Sequence, residues 1–281
     1  MKILSFDIEE WFHVFESHNN SSVERWSSIT PRFPYTIEKL LDTLIEHNVK
    51  ANFFCIGWIT RQYPSLIKKI SNLGFEIGSH SDIHKIAHNQ SYYEYKEDLK
   101  RSLFSIEDLI GKKVISYRAP GFSINSTNIW AFELLVQSGI QFDCSVYPND
   151  GRFGGLPDFP KNTPFIIKTK SGIIKEFPIS SYSFFGQQII YSGGGFFRLL
   201  PYSVIQKLFK ESNYVMTYFH LRDFDPDQPF NELGLLRRMK SEIGVKTSFE
   251  KFQKILNEFY FSDLHDADQN FSWATGPVVN L

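Results

Sequence analysis

The chain has 281 residues, 30 Lys and Arg against 31 Asp and Glu, and 42% hydrophobic residues. A net charge of −1 excludes the strongly basic face of a nucleic-acid binder and an acidic solvating tail. The apolar share excludes intrinsic disorder. Aromatics reach 16%, with 28 Phe, which fits a large core or a cleft with aromatic walls.

The apolar stretch of MKILSFDIEE stops at Asp7, too short for a signal peptide, and no run is long enough to span a membrane. The expectation is a soluble, cytoplasmic protein. Ile3–Phe6 reads as a strand. Thr36–Glu46 carries Ile37, Leu40, Leu41, Leu44 and Ile45 at helical spacing. Lys50–Ile56 is strand-like, with Cys55 inside it. A helix is expected over Trp58–Asn72, bent at Pro64 and stopped by Gly74. Phe75–Gly78 reads as a third strand, Tyr92–Leu109 as a helix and Val114–Tyr117 as a fourth strand. Thr127–Gln137 follows as a helix and Ile140–Cys144 as a fifth strand. Cys55 and Cys144 are too few for a disulfide framework and read as buried thiols.

Residues 148–163 are rich in Gly, Pro and Asp and predict a long surface excursion. A hairpin is expected around Ser171-Gly172, then a helix at Pro201–Glu211, a strand at Tyr214–Phe219 and a helix at Ser248–Phe259. About seven strands alternate with helices, with no internal repeat and no linker. The simplest architecture is α/β: one distorted, incomplete (β/α) barrel.

Acids and histidines fall at the strand ends, where parallel α/β folds build their sites. Asp7 and Glu9 follow the first strand, His80 and His84 the third, and Arg118 the fourth. Asp143 closes the fifth and His220 ends the late strand YVMTYFH. His80 and His84 are four apart, so on a helical turn both rings grip one metal. A lone pair of this kind is weak, and His84 with His88 makes a second match. In FDIEEW an extended backbone points Asp7 and Glu9 to one side and Glu10 to the other, so Glu9 and Glu10 both stand as candidate third ligands. Two histidines and one carboxylate suit a catalytic Zn²⁺, and Co²⁺, Ni²⁺ or Fe²⁺ fit the set too.

Asp7 beside a carboxylate, TRQYPSLIKKISNLGFEIGSHSDIH, RAPGFS, FDCSVYP and a strand ending in histidine together resemble the polysaccharide deacetylase (NodB-homology) family, carbohydrate esterase family 4. SGGGFFRLLPY and DFDPDQPF resemble its branch associated with exopolysaccharide and exosortase gene clusters. The resemblance covers about residues 2–262 and is more specific for fold and metal site than for substrate. It implies a deformed (β/α)7 barrel as a single domain, core about 2–222 and a C-terminal part about 223–281, with a divalent metal. It implies Asp7 as general base, Glu9, His80 and His84 as metal ligands, and His220 as general acid. Arg118 would orient the base and Asp143 would tune the histidine. The backbone N–H of Gly121 would serve the oxyanion, with Phe122 or Trp11 as aromatic wall. The implied activity is removal of an N-acetyl group from an amino sugar, lipid- or nucleotide-linked, in surface polysaccharide assembly. A deformylase or cyclic-amide hydrolase fits the same scaffold, and a silent carbohydrate-binding relative is the alternative of another class.

The remaining features have plainer readings. Gly193-Gly194-Gly195 matches no phosphate loop and is expected as a flexible loop near the cleft. Arg237, Arg238, Lys240 and Lys246 read as a solvated helix face, with contact to an anionic membrane surface as the sharper alternative. His13, His18, His47, His88 and His265 read as ordinary histidines. Asp225-Pro226-Asp227 reads as a turn, and Arg222 and Asp223 lie close enough to His220 for a rim role.

Overall fold

The computed structural model describes residues 1–13, 23–151, 154–184, 186–229 and 235–281. The first strands, β1 (Lys2–Ile3) and β2 (Ser5–Ile8), form one line broken at Leu4. Behind them stand β3 (Asn52–Cys55), β4 (Glu76–Ser79), β5 (Ser116–Tyr117), β6 (Phe142–Asp143), β7 (Phe165–Thr169) and β8 (Gly172–Glu176). A short hairpin, β9 (Tyr182–Phe184) and β10 (Gln187–Ile189), precedes β11 (Val215–Met216) and β12 (Phe219–His220), and β13 (Val278–Asn280) ends the chain. The main sheet runs β12-β2-β3-β4-β5-β6-β8-β7-β13, and β1 pairs with β11. All pairs from β12 to β8 are parallel, and β7–β8 is the expected antiparallel hairpin.

The ring is completed without a strand ladder. Beyond β8, Phe177 N donates to Asp143 O and Ile179 N to Val146 O. Met216 N then donates to Ser180 Oγ at 2.8 Å, and Tyr214 Oη donates to Pro178 O at 2.8 Å. A serine side chain and a tyrosine thus tie the segment after β8 to the stretch around β11. This is the deformed seven-stranded arrangement, with β7 and β13 carried outside the ring.

The helices are α1 (Val23–Trp26), α2 (Phe33–Glu46), α3 (Gly57–Gln62), α4 (Pro64–Asn72), α5 (Tyr92–Ile110), α6 (Ala131–Gln137), α7 (Gly194–Leu199), α8 (Tyr202–Glu211), α9 (Leu235–Glu242), α10 (Val245–Glu258) and α11 (Leu264–Asn270). The helix expected over 58–72 is two helices, divided at Tyr63 (φ −130°, ψ 56°) ahead of Pro64. Proline removes an N–H and disfavours a helical residue before it. The 19-residue α5 starts on a Ser91/Glu94 capping box and stops at left-handed Gly111.

Alternation along β2 decides which side chains face the ring. Phe6 turns outward, with its ring 5.2 Å from Phe53 and 5.9 Å from Phe252 of α10. Ser5 and Asp7 turn inward toward Arg118. Several expectations change here. Gly193-Gly194-Gly195 opens α7 instead of forming a loop. A Cβ on Gly193 would meet Tyr218 O at 1.8 Å, so glycine is what lets the helix approach that strand. The 148–163 excursion has no long element, yet Asn149 and Leu156 are buried in it. His18 lies outside the described residues, as does the side chain of Arg237. No described helix is long and apolar enough to cross a membrane.

Candidate active site

β2, β4, β5 and β12 end at one pocket lined by Asp7, Glu9, His80, His84, Gly121, Phe122, Tyr147, Tyr218, His220 and Arg222, among others. Ligand atoms of Glu9, His80 and His84 lie within 4.8 Å of one another, and all three residues are buried. The histidines are not on a helical turn. They sit in the loop after β4, where Ser81 (φ 67°) and His84 (φ 57°) take left-handed conformations that fold the loop back on itself. Their ring centroids are 5.1 Å apart.

The partners of the histidines set their orientation. His80 Nδ1 lies 2.7 Å from Arg118 O, which leaves Nε2 for the cluster. Burial lowers the His80 pKa to about 4, so the imidazole is neutral at pH 7 and able to ligate. Glu9 Oε2 is 2.8 Å from His84 Nε2, yet this buried oxygen has no aligned hydrogen bond. Burial pushes the Glu9 pKa up, but His84, Arg222 and His220 together hold it well below the carboxylate range. A charged, buried carboxylate oxygen lacking an aligned donor, beside the imidazoles of His80 and His84, fits a divalent metal.

Glu10, the other candidate ligand, is committed elsewhere. Its carboxylate accepts from Arg32 N (2.9 Å) and Phe33 N (3.0 Å) at the start of α2. It satisfies orphan donors at a helix N-terminus and stays out of the cluster.

On one side of the cluster stands a buried ion pair. Arg118 Nη1 donates to Asp7 Oδ1 at 2.7 Å and Nη2 to Ser5 Oγ at 2.9 Å, over the Phe54 ring at 4.3 Å. Burial raises the Asp7 pKa, but Arg118 and the nearby histidines outweigh it, and the net shift is downward. β12 and β2 are in register at His220 and Asp7, so His220 stands next to this pair. His220 Nε2 is 3.8 Å from Asp7 Oδ2 and 3.6 Å from Glu9 Oε1.

Two sequence expectations are corrected. Asp143 does not reach His220. It accepts from Ser145 N at 3.2 Å and Ser145 Oγ at 2.6 Å, and lies beside buried Glu176. The acid at His220 is Asp223, whose Oδ2 lies 3.2 Å from Nδ1 and accepts from His220 N at 3.0 Å. Arg198 of α7 approaches Asp223 Oδ1 at 3.1 Å. Burial disfavours the charged form of Asp223, but His220, Arg198 and Arg222 hold its pKa at about 2. A barrel-strand position cannot compete with a residue three places along the same turn, already placed by backbone geometry. The H-x-x-D spacing of HLRDF was the available signal, because it is the spacing of a capping box. Trp11 is the second correction. It is buried with its indole N–H on Thr30 O at 3.0 Å and does not line the pocket. The aromatic walls are Phe122, Tyr147 and Tyr218, the last edge-on to Phe122 at 5.3 Å. Gly121 (φ 63°) and Phe122 (φ 52°) form a left-handed turn at the pocket edge.

The polysaccharide deacetylase family model matches residues 30–137, the half that carries His80, His84 and Arg118. Residues 30–137 thus match a polysaccharide deacetylase domain of the NodB type, carbohydrate esterase family 4. A domain of unknown function, DUF3473, matches residues 144–269, which hold His220 and Asp223. A peptidoglycan-N-acetylglucosamine deacetylase of Bacillus cereus is 32% identical over 124 residues, 44% of this chain and 45% of that one. The chain thus spans about half the length of this relative and of a second one from the same organism, 29% identical over 128 residues. Among solved structures, a chain assigned as a polysaccharide deacetylase of Mycobacterium smegmatis aligns over 96% of this chain and 91% of its own. Its TM-score is 0.61 at 17% identity. A restored-activity mutant of the Bacillus anthracis pseudoenzyme BA3943 aligns over 95% and 66%, with TM-score 0.50 at 14% identity. The fold is therefore shared, and activity has to be argued from the site.

Proposed function

We propose that the chain is a metal-dependent hydrolase that removes the N-acetyl group from an amino sugar of a surface polysaccharide or its precursor. The observation that carries this reading is one pocket holding Glu9, His80 and His84 beside two proton-handling groups, Asp7 with Arg118 and His220 with Asp223. Glu9, His80 and His84 would hold the metal, with Zn²⁺ the ion best suited to two imidazoles and a carboxylate. Bound there, it supplies an activated water and a positive charge for the developing oxyanion.

The chain's own residues do the rest. Asp7, kept ionised by Arg118, takes the proton of the attacking water at Oδ2. The Gly121 N–H adds a donor to the carbonyl oxygen of the acetamide. His220, fixed at Nδ1 by Asp223, gives the proton at Nε2 to the leaving nitrogen, and amide cleavage needs that proton. Acetate and a free amine result. Phe122, Tyr147 and Tyr218 offer apolar faces to a sugar ring. The cavity of about 280 Å³ is near the lower end of small-ligand sites, which fits one sugar ring at the reacting centre.

The test is metal analysis of the purified chain beside a His80→Ala/His84→Ala variant, followed by a panel of N-acetyl, N-formyl and cyclic-amide substrates. One equivalent of metal, lost in the variant, with acetate released from N-acetyl sugars, is the expected result. Metal-free protein after zinc is offered, or release from another amide class only, overturns the reading.

A further inference from the structure

The two helices α7 and α9 meet at a corner fixed by one arginine. Arg198 Nη1 donates to the carbonyls of Ser241 and Ile243, and Nη2 to that of Lys240 at 3.5 Å. Gly244 (φ 71°) makes the approach feasible, because a Cβ there would meet Arg198 O at 2.3 Å. Lys251 Nζ fastens the same corner through the carbonyls of Phe197, Arg198 and Leu200.

The outer side of this corner is apolar. Phe196 and Leu199, three apart on α7, are 40% and 57% exposed, and Met239 and Ile243, four apart, are 55% and 44% exposed. Such side chains scattered singly need no account, but four on one braced corner do. Apart from Arg198 and Lys251, which the brace uses, Arg238, Lys240 and Lys246 flank these side chains and are exposed, Arg238 within 2.7 Å of Glu242. The corner also belongs to the site's neighbourhood: α7 starts against Tyr218 on the pocket wall, and Arg198 contacts Asp223, the partner of His220. A six-residue helix is about 9 Å long, so the apolar corner stands close to the pocket.

We propose that this corner is a docking surface for an anionic lipid bilayer, with Phe196, Leu199, Met239 and Ile243 entering the headgroup boundary and the flanking cations meeting lipid phosphates. An apolar face rimmed by Lys and Arg is the pattern that binds such a surface. A second copy of the chain is the poorer occupant, because a two-fold contact would set two cationic patches against each other. Docking goes beyond the hydrolytic reading and does not depend on it. It would bring the pocket to substrates carried at a membrane.

The experiment is co-sedimentation of the full chain with vesicles of phosphatidylcholine alone or containing phosphatidylglycerol. Binding to the anionic vesicles only, released by about 0.5 M salt, is expected. Leu199→Ser/Met239→Ser should weaken it about tenfold or more. Arg238→Gln/Lys240→Gln should do the same. Both variants should keep the wild-type melting temperature and the wild-type rate on a soluble substrate. No vesicle binding, equal binding to neutral vesicles, or unchanged binding by both variants overturns the proposal. So does a wild-type dimer that Leu199→Ser/Met239→Ser dissolves.

Discussion

Residues 30–137 and 144–269 reach the same pocket by different routes. In the first part, parallel strands and helices alternate with little interruption, and two of its three strand ends deliver residues to the site: His80 and His84 after β4, Arg118 after β5. In the second part the ladder gives out after β8. Ser180 and Tyr214 tie the chain after β8 to the stretch around β11, and the partners of His220 are placed by helix starts and turns instead. Asp223 is held by the turn after His220, and Arg198 by a helix that needs glycine to reach Tyr218. The regular part supplies the two histidines that join Glu9 in the cluster, and the irregular part builds the surroundings of the acid. The contrast shows that a site can keep its centre on strand ends while its outer partners are drawn from wherever the chain passes close.

The sharpest way to break this division is His220→Ala. Metal content should stay at the wild-type level while kcat falls about 10²–10⁴-fold, the worth of a positioned general acid. Turnover at the wild-type rate would show that the second part contributes no acid. The next largest effect separates the two acids. Asp223→Asn should lower kcat about 10–100-fold with KM little changed, as removal of a partner that orients a functional histidine does. Asp143→Asn should leave kcat within about threefold, because Asp143 touches Ser145 and Glu176 and not His220. The reverse ranking in steady-state kinetics would restore Asp143 to the histidine.

The smallest expected effect lies in the Asp143–Glu176 pair at the seam between the two parts. Burial and the Asp143 charge raise the Glu176 pKa well above 4.5. A raised folded-state value means its contribution to stability is full below about 4.5 and is lost as pH rises through the folded value. Glu176→Gln removes that loss and keeps an acceptor for Val146 N. The variant should match the wild type near pH 4.5 and exceed it by about 1 kcal/mol or more at pH 8. Urea unfolding at the two pH values checks this. A constant difference between them would mean that folding does not raise the Glu176 pKa.

Much was legible in the sequence because it follows from local periodicity. Alternation of apolar runs marked β2 to β6 and the βα order, since burying a strand on both faces demands continuous apolar residues. The polar residue ending each run marked Asp7, His80, His84, Arg118 and His220, all of which meet or adjoin the pocket. What the sequence could not decide were choices among equivalent groups. Glu9 and Glu10 are both acids, and only the start of α2, packed against Glu10, commits that one to Arg32 and Phe33. Asp143 and Asp223 are both acids near a strand end, and only the turn after β12 brings one within 3.2 Å of Nδ1. Trp11 and Tyr218 are both aromatics beside polar strand ends, and only packing sends one to the core and the other to the pocket. Periodicity is a property of neighbours in the chain, whereas these choices depend on contacts between residues far apart in it, which only the closed ring creates.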